Sequence, residues 1–216
     1  MARYTRGDRK YVSVTQLLDI FYPFNEESFK KWCESSGNDS EKIKEDSERM
    51  GNKVSEWIEN AKLGISWIDS PCTSYREEGL YRAVQSFLGA NKVVSCEQVV
   101  YCDEYGYAGT YDMEAILSDC ILGLYDSKTY NAWNGQTADA WIRMVKKIDP
   151  SKIKKVTIQV SMYAYAKYGE KASTMPLGLI VFRPDGTYEV IPLKYTDKWK
   201  ELIKKNEDKI KLLLDK

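Results

Sequence analysis

Apolar positions along the chain follow two rhythms, a helical one before about residue 90 and a mixture of strand and helix after it. Tyr11-Val12 is a short extended stretch, and Ser13 is placed to cap a helix from Val14 to about Phe21. Pro23 ends that helix. Phe29 and Trp32 stand at helical spacing in a second helix, Phe24 to Glu34, and Trp32 is expected to be a core aromatic. Glu41 to Ala61 is a long helix with Ile43, Met50, Val54, Trp57 and Ile58 as its apolar positions, capped by Asp39 or Ser40. Ser70-Pro71 breaks the chain. Tyr75 to Gly89 then carries the stripe Leu80, Ala83, Val84, Phe87 and Leu88.

Lys92 to Cys102 is a Val-rich strand, and Asp103 to Gly106 reads as a hairpin turn. Two further strands follow, about Ala108 to Leu117 and Cys120 to Lys128, joined at Ser118-Asp119. Thr129 to Ala138 is a loop, and Trp141 to Ile148 a short helix. Lys152 to Tyr168 contains a β-branched run at Val156-Thr157-Ile158. Its length and its Asp149-Pro150-Ser151 start favour a helix nonetheless. A buried strand over Pro176 to Phe182, a turn at Pro184-Asp185-Gly186 and a strand over Thr187 to Leu193 come next. The chain ends in an amphipathic helix, Tyr195 to Lys216. This order predicts one α/β (α+β) domain with a central mixed sheet flanked by helices. Residues 1–90 form a mainly helical part, 91–195 the core and 196–216 a terminal helix.

Composition narrows the chemistry. The 216 residues are 43% apolar and 30% charged, ordinary for a globular domain. No apolar run is long enough to span a membrane, and the first ten residues lack an apolar signal core, so we expect an intracellular, cytoplasmic protein. Net formal charge is zero, so DNA binding would need a basic groove balanced elsewhere. There is no histidine, which removes His-based acid/base catalysis, Ser-His-Asp triads and His-ligated zinc. The five cysteines form no Cys-x-x-Cys pair, which argues against a zinc ribbon and a disulfide framework.

Carboxylates and lysines remain. Asp126 and Lys128 are two apart on a strand and project from one face. If the flanking strands pair, Asp112 lies close to Asp126. Glu114, two beyond Asp112, would share its face as a second-choice ligand. Two adjacent carboxylates repel unless a cation shares the site, and oxygen ligands suit a hard ion such as Mg²⁺ or Mn²⁺. The same spacing also describes a solvated ion pair at a strand end. Gln159 and Tyr163 are four apart and share a helix face. Tyr130 and Trp133, in the loop after Lys128, are suited to stack on bases of a single strand or to pack down on the domain.

These residues together resemble the bipartite motif of the PD-(D/E)XK nuclease superfamily. Gly109-Thr110-Tyr111-Asp112 is similar to the Gly-x-x-Asp of its RecB-like and Cas4-like exonuclease branch, Asp126-Ser127-Lys128-Thr129 to its Asp-x-Lys-Thr, and Gln159 with Tyr163 to its Gln-x-x-x-Tyr helix. The resemblance covers roughly residues 11 to 195 and implies a restriction-endonuclease-like core. It implies Mg²⁺ (or Mn²⁺) on Asp112, Asp126 and the Ser127 carbonyl, with Lys128 orienting water and Gln159 and Tyr163 supporting the substrate side. Gly51, Ser55 and Glu59 match a helix that in the branch reads Gly-x-x-x-His-x-x-x-Glu. Glu59 is therefore a candidate ligand, while Ser55 stands where the family has histidine and departs from the pattern. A glutamate often precedes the family's first core strand, which makes Glu97 a further acidic candidate, with a structural role preferred. Some members carry an iron–sulfur cluster on cysteines near both ends, but no cysteine follows Cys120, so none is expected here, nor zinc. The expected function is a metal-dependent deoxyribonuclease of the phage or mitochondrial genome-maintenance exonuclease type. It would act on DNA ends, often single-stranded, with Ser55, Thr129, Tyr130 and Trp133 on the substrate side. The alternatives are a catalytically inactive relative that binds nucleic acid or protein, and an interaction domain with a structural ion-pair network.

Overall fold

The computed structural model describes residues 4–35, 37, 39–65, 72–118, 120–129 and 150–214. Tyr130, Trp133 and the helix expected over 141–148 lie outside these residues. Seven described strands form one mixed sheet in the order β1(Tyr4–Arg6), β2(Arg9–Ser13), β4(Tyr107–Ile116), β5(Leu122–Thr129), β6(Leu177–Phe182), β7(Tyr188–Leu193), with β3(Lys92–Cys102) paired to β4. The β2–β4 and β5–β6 pairs are parallel and the others antiparallel. The helices are α1(Val14–Phe21), α2(Glu26–Ser35), α3(Ser40–Lys62), α4(Tyr75–Ala90), α5(Pro150–Tyr168), α6(Lys198–Lys205) and α7(Glu207–Leu214). The architecture is a mixed sheet flanked by helices, as the order of elements along the chain predicts.

Local chemistry explains most boundaries. Ser13 accepts from the Gln16 amide at 3.0 Å while Gln16 Oε1 accepts from the Ser13 amide at 3.0 Å, a complete capping box that starts α1. Asp39 accepts from the Glu41 amide at 2.9 Å and starts α3. The C-terminal stretch is two helices rather than the single one expected. Asn206 separates them and turns its side-chain amide back to the Leu202 carbonyl at 2.9 Å.

Each face of the sheet has its own core. Leu17, Leu18, Ile158, Met162 and Trp199 pack with Leu124, Leu179 and Val181 on the α5 face. Val54, Trp57, Leu80 and Phe87 pack with Met113, Tyr125, Ile180 and Phe182 on the α3/α4 face. All six residues of β6 are buried and alternate between the two cores. Between α3 and α4 the Glu77 carboxylate is fully buried. It accepts from Lys53 Nζ at 2.7 Å and the Thr73 amide at 2.7 Å, and from Arg49.

Trp32 is not the core aromatic its spacing suggests. It is 38% exposed, stacked on Phe29 with ring centroids 6.1 Å apart, and the buried residue of α2 is Cys33. No helix among the described residues is long and apolar enough to cross a membrane.

Candidate active site

The site forms where β4 changes partner. One edge of β4 pairs with β3 along its length. On the other edge, Tyr107 and Ala108 pair with β2, and Met113 to Ile116 pair with β5. Residues 109–112 lie in the fork between β2 and β5. Gly109 and Asp112, the ends of the Gly-x-x-Asp motif, are therefore the ends of that opening.

The backbone also switches faces there. Tyr107 and Tyr111 pack in the α5 core, whereas Met113 and Ala115 pack in the α3/α4 core. Regular alternation would keep residues 111, 113 and 115 on one face. The partner strand switches too: Cys96 pairs with Met113, Gln98 pairs with Tyr111, and Glu97 between them, opposite Asp112, has φ +49°. A non-glycine residue in that region is strained and marks a position held by its surroundings.

The switch corrects the expected role of Glu114. It does not share the face of Asp112. It is buried beneath the end of α5, accepting from Lys167 Nζ at 2.9 Å and Tyr111 OH at 3.1 Å, and from Tyr168 and Ser95. Burial opposes its ionisation, but these donors prevail and hold its pKa at about 2.

Asp112 accepts from the Ser127 amide at 2.7 Å and Ser127 Oγ at 2.8 Å, which ties β4 to β5 at the edge of the fork. Asp126 is 1% exposed. Lys128 Nζ lies 2.7 Å from Asp126 Oδ2 and donates to the Ser127 carbonyl at 3.1 Å. That ion pair leaves both Asp126 oxygens without a well-aligned donor. Burial lifts the Asp126 pKa to about 7, against the attraction of Lys128 and with help from the Asp112 and Glu97 charges. Lys128 is half-exposed. Its partial desolvation disfavours the charged form, but Asp126 and then Asp112 outweigh this and raise its pKa.

Helix α5 closes the site from its own side. Gln159 Nε2 donates to Tyr163 OH at 3.3 Å, so the two share a face as expected. Tyr163 is 4% exposed, and burial raises its pKa, with the Asp126 and Asp112 charges adding to that. It reaches the strand because residue 109 is glycine: a Cβ there would stand 2.5 Å from Tyr163 Cε1.

On the opposite side, Ser47, Gly51 and Ser55 of α3 line a cleft of about 320 Å³ with Asp112, Ser127 and Lys128. Glu59 is exposed one turn further on, and its charge acts on Glu97. Glu97 is exposed as a residue, yet it lines a crevice with Ser55, Ile58, Asp112 and Ser127. Partial desolvation, then Asp112 and Glu59, raise its pKa, while a hydrogen bond with Ser55 opposes the rise. Glu97 thus stands beside Asp112, Ser55 and Ser127. Its proximity comes from the strand switch, which periodicity does not reveal. Thr129 pairs with Phe182 at the end of β5 and lines the clefts on both sides of Lys128.

Among the described residues, no trio of carboxylates or thiols is gathered closely enough to be a finished metal site. What fits a hard cation is the donor chemistry: oxygen-only side chains, with two buried Asp126 oxygens that lack aligned donors. The cysteines are all free thiols: Cys33, Cys96 and Cys102 are buried, and Cys72 and Cys120 exposed.

No protein-family model matches the chain, and no curated protein matches it. Among solved structures, an alkaline exonuclease from Laribacter hongkongensis is similar at 12% identity over 95% of this chain and 90% of that one, with a TM-score of 0.45. A likeness of that size bears on neither activity nor substrate.

Proposed function

We propose that this chain is a metal-dependent DNA nuclease that hydrolyses phosphodiester bonds, with an exonuclease preference for free ends. The observation that supports it most is the buried Asp126 carboxylate, bare of aligned donors, beside Lys128 and Asp112 at the fork in the sheet.

Asp112 and Asp126 would hold Mg²⁺ or Mn²⁺, with Glu97 or Glu59 and the Ser127 carbonyl as further oxygen donors. A bound divalent ion supplies Lewis acidity and a water of lowered pKa. Lys128 donates to the attacking water or to a phosphate oxygen and offsets the charge that grows on phosphorus oxygens in the transition state. Gln159 fixes the Tyr163 hydroxyl at the rim. Ser55 and Thr129 border the path of the strand, and Tyr130 and Trp133 are proposed to stack on its bases.

End-labelled single- and double-stranded DNA incubated with Mg²⁺, Mn²⁺ or EDTA tests this. Metal-dependent degradation that Asp126→Asn and Lys128→Met both abolish is the expected result. The label pattern separates end digestion from internal cleavage. An inactive nucleic-acid-binding relative is the second reading, favoured by Ser55 at the histidine position and by the ungathered carboxylates. DNA binding without cleavage by either metal would select it.

A further inference from the structure

The β1–β2 hairpin stands beside the fork, and one of its faces is covered by arginine and tyrosine. Val12 packs in the α5 core, so its neighbour Tyr11 points to the other face of the sheet. Arg9 shares that face by alternation, and Tyr4 and Arg6 share it by register with Tyr11 and Arg9. Tyr101 of β3 joins them, meeting Tyr11 edge-on with ring centroids 5.0 Å apart. Val99, two residues before Tyr101, is 47% exposed. The Arg6 guanidinium lies 5.1 Å from the Tyr101 ring centroid, and that of Arg9 5.2 Å from the Tyr11 centroid. Both arginine side chains stay half-exposed, and they share one carboxylate: Asp103 pairs with Arg6 and stands 3.7 Å from Arg9. Two guanidinium groups against one carboxylate leave this face with a positive balance.

The face runs into the candidate active site. Tyr4 OH and Thr110 Oγ1 are hydrogen-bonded at 3.0 Å, and Thr110 lies in the fork, two residues before Asp112 and opposite Val99. Ala108, which pairs with Tyr101, is a further two residues back, so the path from Asp112 to Tyr101 is about 13 Å. At about 3.4 Å per stacked nucleotide, that is the reach of about four nucleotides. The ends of the path differ in charge. Asp112, Asp126 and Glu97 stand at one end and the two arginines at the other.

A strand with unpaired bases matches this arrangement. Guanidinium groups take its phosphates, and planar guanidinium and phenol groups offer stacking surfaces to bases. A duplex keeps its base faces hidden and matches only the charge. Resting on the nuclease reading above, we propose that the face of Arg6, Arg9 and Tyr101 carries the single-stranded part of the substrate, about four nucleotides from the point of cleavage. Phosphates lie on the arginines and bases against the stacked side chains. Ends with a single-stranded tail of at least that length are then preferred to blunt ends.

The test is fluorescence anisotropy of labelled oligothymidylates of three and twelve nucleotides, and of a blunt twelve-base-pair duplex, with the full chain in EDTA at several salt concentrations. Wild type is compared with Arg6→Gln/Arg9→Gln and with Val99→Glu. The second variant puts a carboxylate on the exposed middle of the face without touching the arginine–tyrosine contacts, so it decides the matter if melting curves show the first unfolded. Lys205→Gln/Lys209→Gln, which removes equal charge from exposed positions of α6 and α7, is the control. The expected result is twelve-mer binding weakened about tenfold or more by each face variant, little change for the three-mer, and a control that binds as wild type does. The arginine variant should also lower the slope of log affinity against log salt by about 0.7 or more, the share of one phosphate contact on a single strand. No binding of the twelve-mer by wild type, folded face variants that bind as wild type does, an equal loss in the control, or an equal loss on duplex and single strand would overturn the proposal. If wild type cleaves tailed DNA while folded face variants bind and cleave as it does, the face fails alone. If face-dependent binding is found in a protein that cleaves nothing with Mg²⁺ or Mn²⁺, the face stands and the hydrolytic reading falls.

Discussion

Asp126→Asn should make the protein more stable at neutral and alkaline pH while abolishing cleavage. In the unfolded chain this carboxyl ionises near pH 4. In the fold its pKa is about 7, because burial outweighs the attraction of Lys128. Between those values the folded state holds a proton that the unfolded state has lost. Stability therefore falls as pH rises from about 4 to about 7 and stays lowered above that. At about 1.4 kcal/mol per pH unit, the charged carboxylate costs the fold on the order of 4 kcal/mol at pH 8. Asparagine keeps the shape without the charge, and Lys128, half-exposed, can turn to water when its partner is neutralised.

That cost of the charge already includes the attraction of Lys128; the asparagine amide, buried where no aligned partner meets the carboxylate, offsets part of the gain, so the net stabilisation expected at pH 8 is about 1–3 kcal/mol. For a chain of this length that is a rise in Tm of roughly 3–10 °C. Thermal melts at pH 4.5, 6 and 8, with and without Mn²⁺, measure it. The difference between variant and wild type should shrink toward zero at the lowest pH, where the wild-type carboxyl is protonated in the fold. Added metal should raise the wild-type melting temperature and leave the variant unmoved, since binding to the folded state alone stabilises it. A variant that melts at or below wild type at every pH, or a difference independent of pH, would refute the account of Asp126 as a charge held at a cost for a ligand.

Other perturbations follow from single contacts. Gly109→Ala places a Cβ 2.5 Å from Tyr163 Cε1; it should cost about 1–3 kcal/mol in denaturant melts and slow cleavage by displacing the Gln159–Tyr163 pair. Glu77 carries the opposite pH signature to Asp126. Burial disfavours its charge, but Lys53, Thr73 and Arg49 prevail and hold its pKa at about 2, so its stabilisation is present above pH 4.5 and lost as pH falls toward 2. Glu77→Gln should therefore cost about 2–4 kcal/mol at pH 7 and much less at pH 3, measured by urea melts at both. Trp32→Ala should cost less than about 1 kcal/mol, because the residue is 38% exposed and its ring stacks on Phe29 of its own helix.

Elements whose signals are local were legible in the chain. The start of α1 follows from Ser13 and Gln16, three residues apart, and β3 occupies the Lys92–Cys102 span that its valines mark. Asp126, Lys128, Gln159 and Tyr163 meet because simple strand and helix periods bring them to common faces. What escaped depends on distant partners. The β1–β2 hairpin is mostly exposed and rich in arginine, and Asp103, over ninety residues away, holds it by pairing with Arg6 and Tyr11. Helical spacing put Phe29 and Trp32 on one face but carried no information about which face of α2 the domain covers. The switch at Asp112 and Glu97 inverts the faces of the residues beyond it, so an alternation argument carried through it misplaces Glu114.

Three buried acids among the described residues allow the structural alternative to be judged from within. Glu77 and Glu114 are as inaccessible as Asp126, and each is surrounded by ammonium, hydroxyl or amide donors that hold its pKa at about 2. Those two acids stabilise the fold, as buried charges do when their hydrogen bonds are complete. Asp126 has one ammonium at contact distance, no aligned donor on either oxygen, and a pKa moved in the other direction to about 7. A residue serving stability alone at that place would be apolar, or saturated like its two counterparts. The neighbouring sheet departs from regularity at the same point: β4 exchanges partners, both strands switch faces, and Glu97 takes a left-handed backbone opposite Asp112. Strain and an open donor shell that coincide around Asp112, Asp126 and Lys128 favour a site arranged for something that binds over a network arranged to hold the fold together.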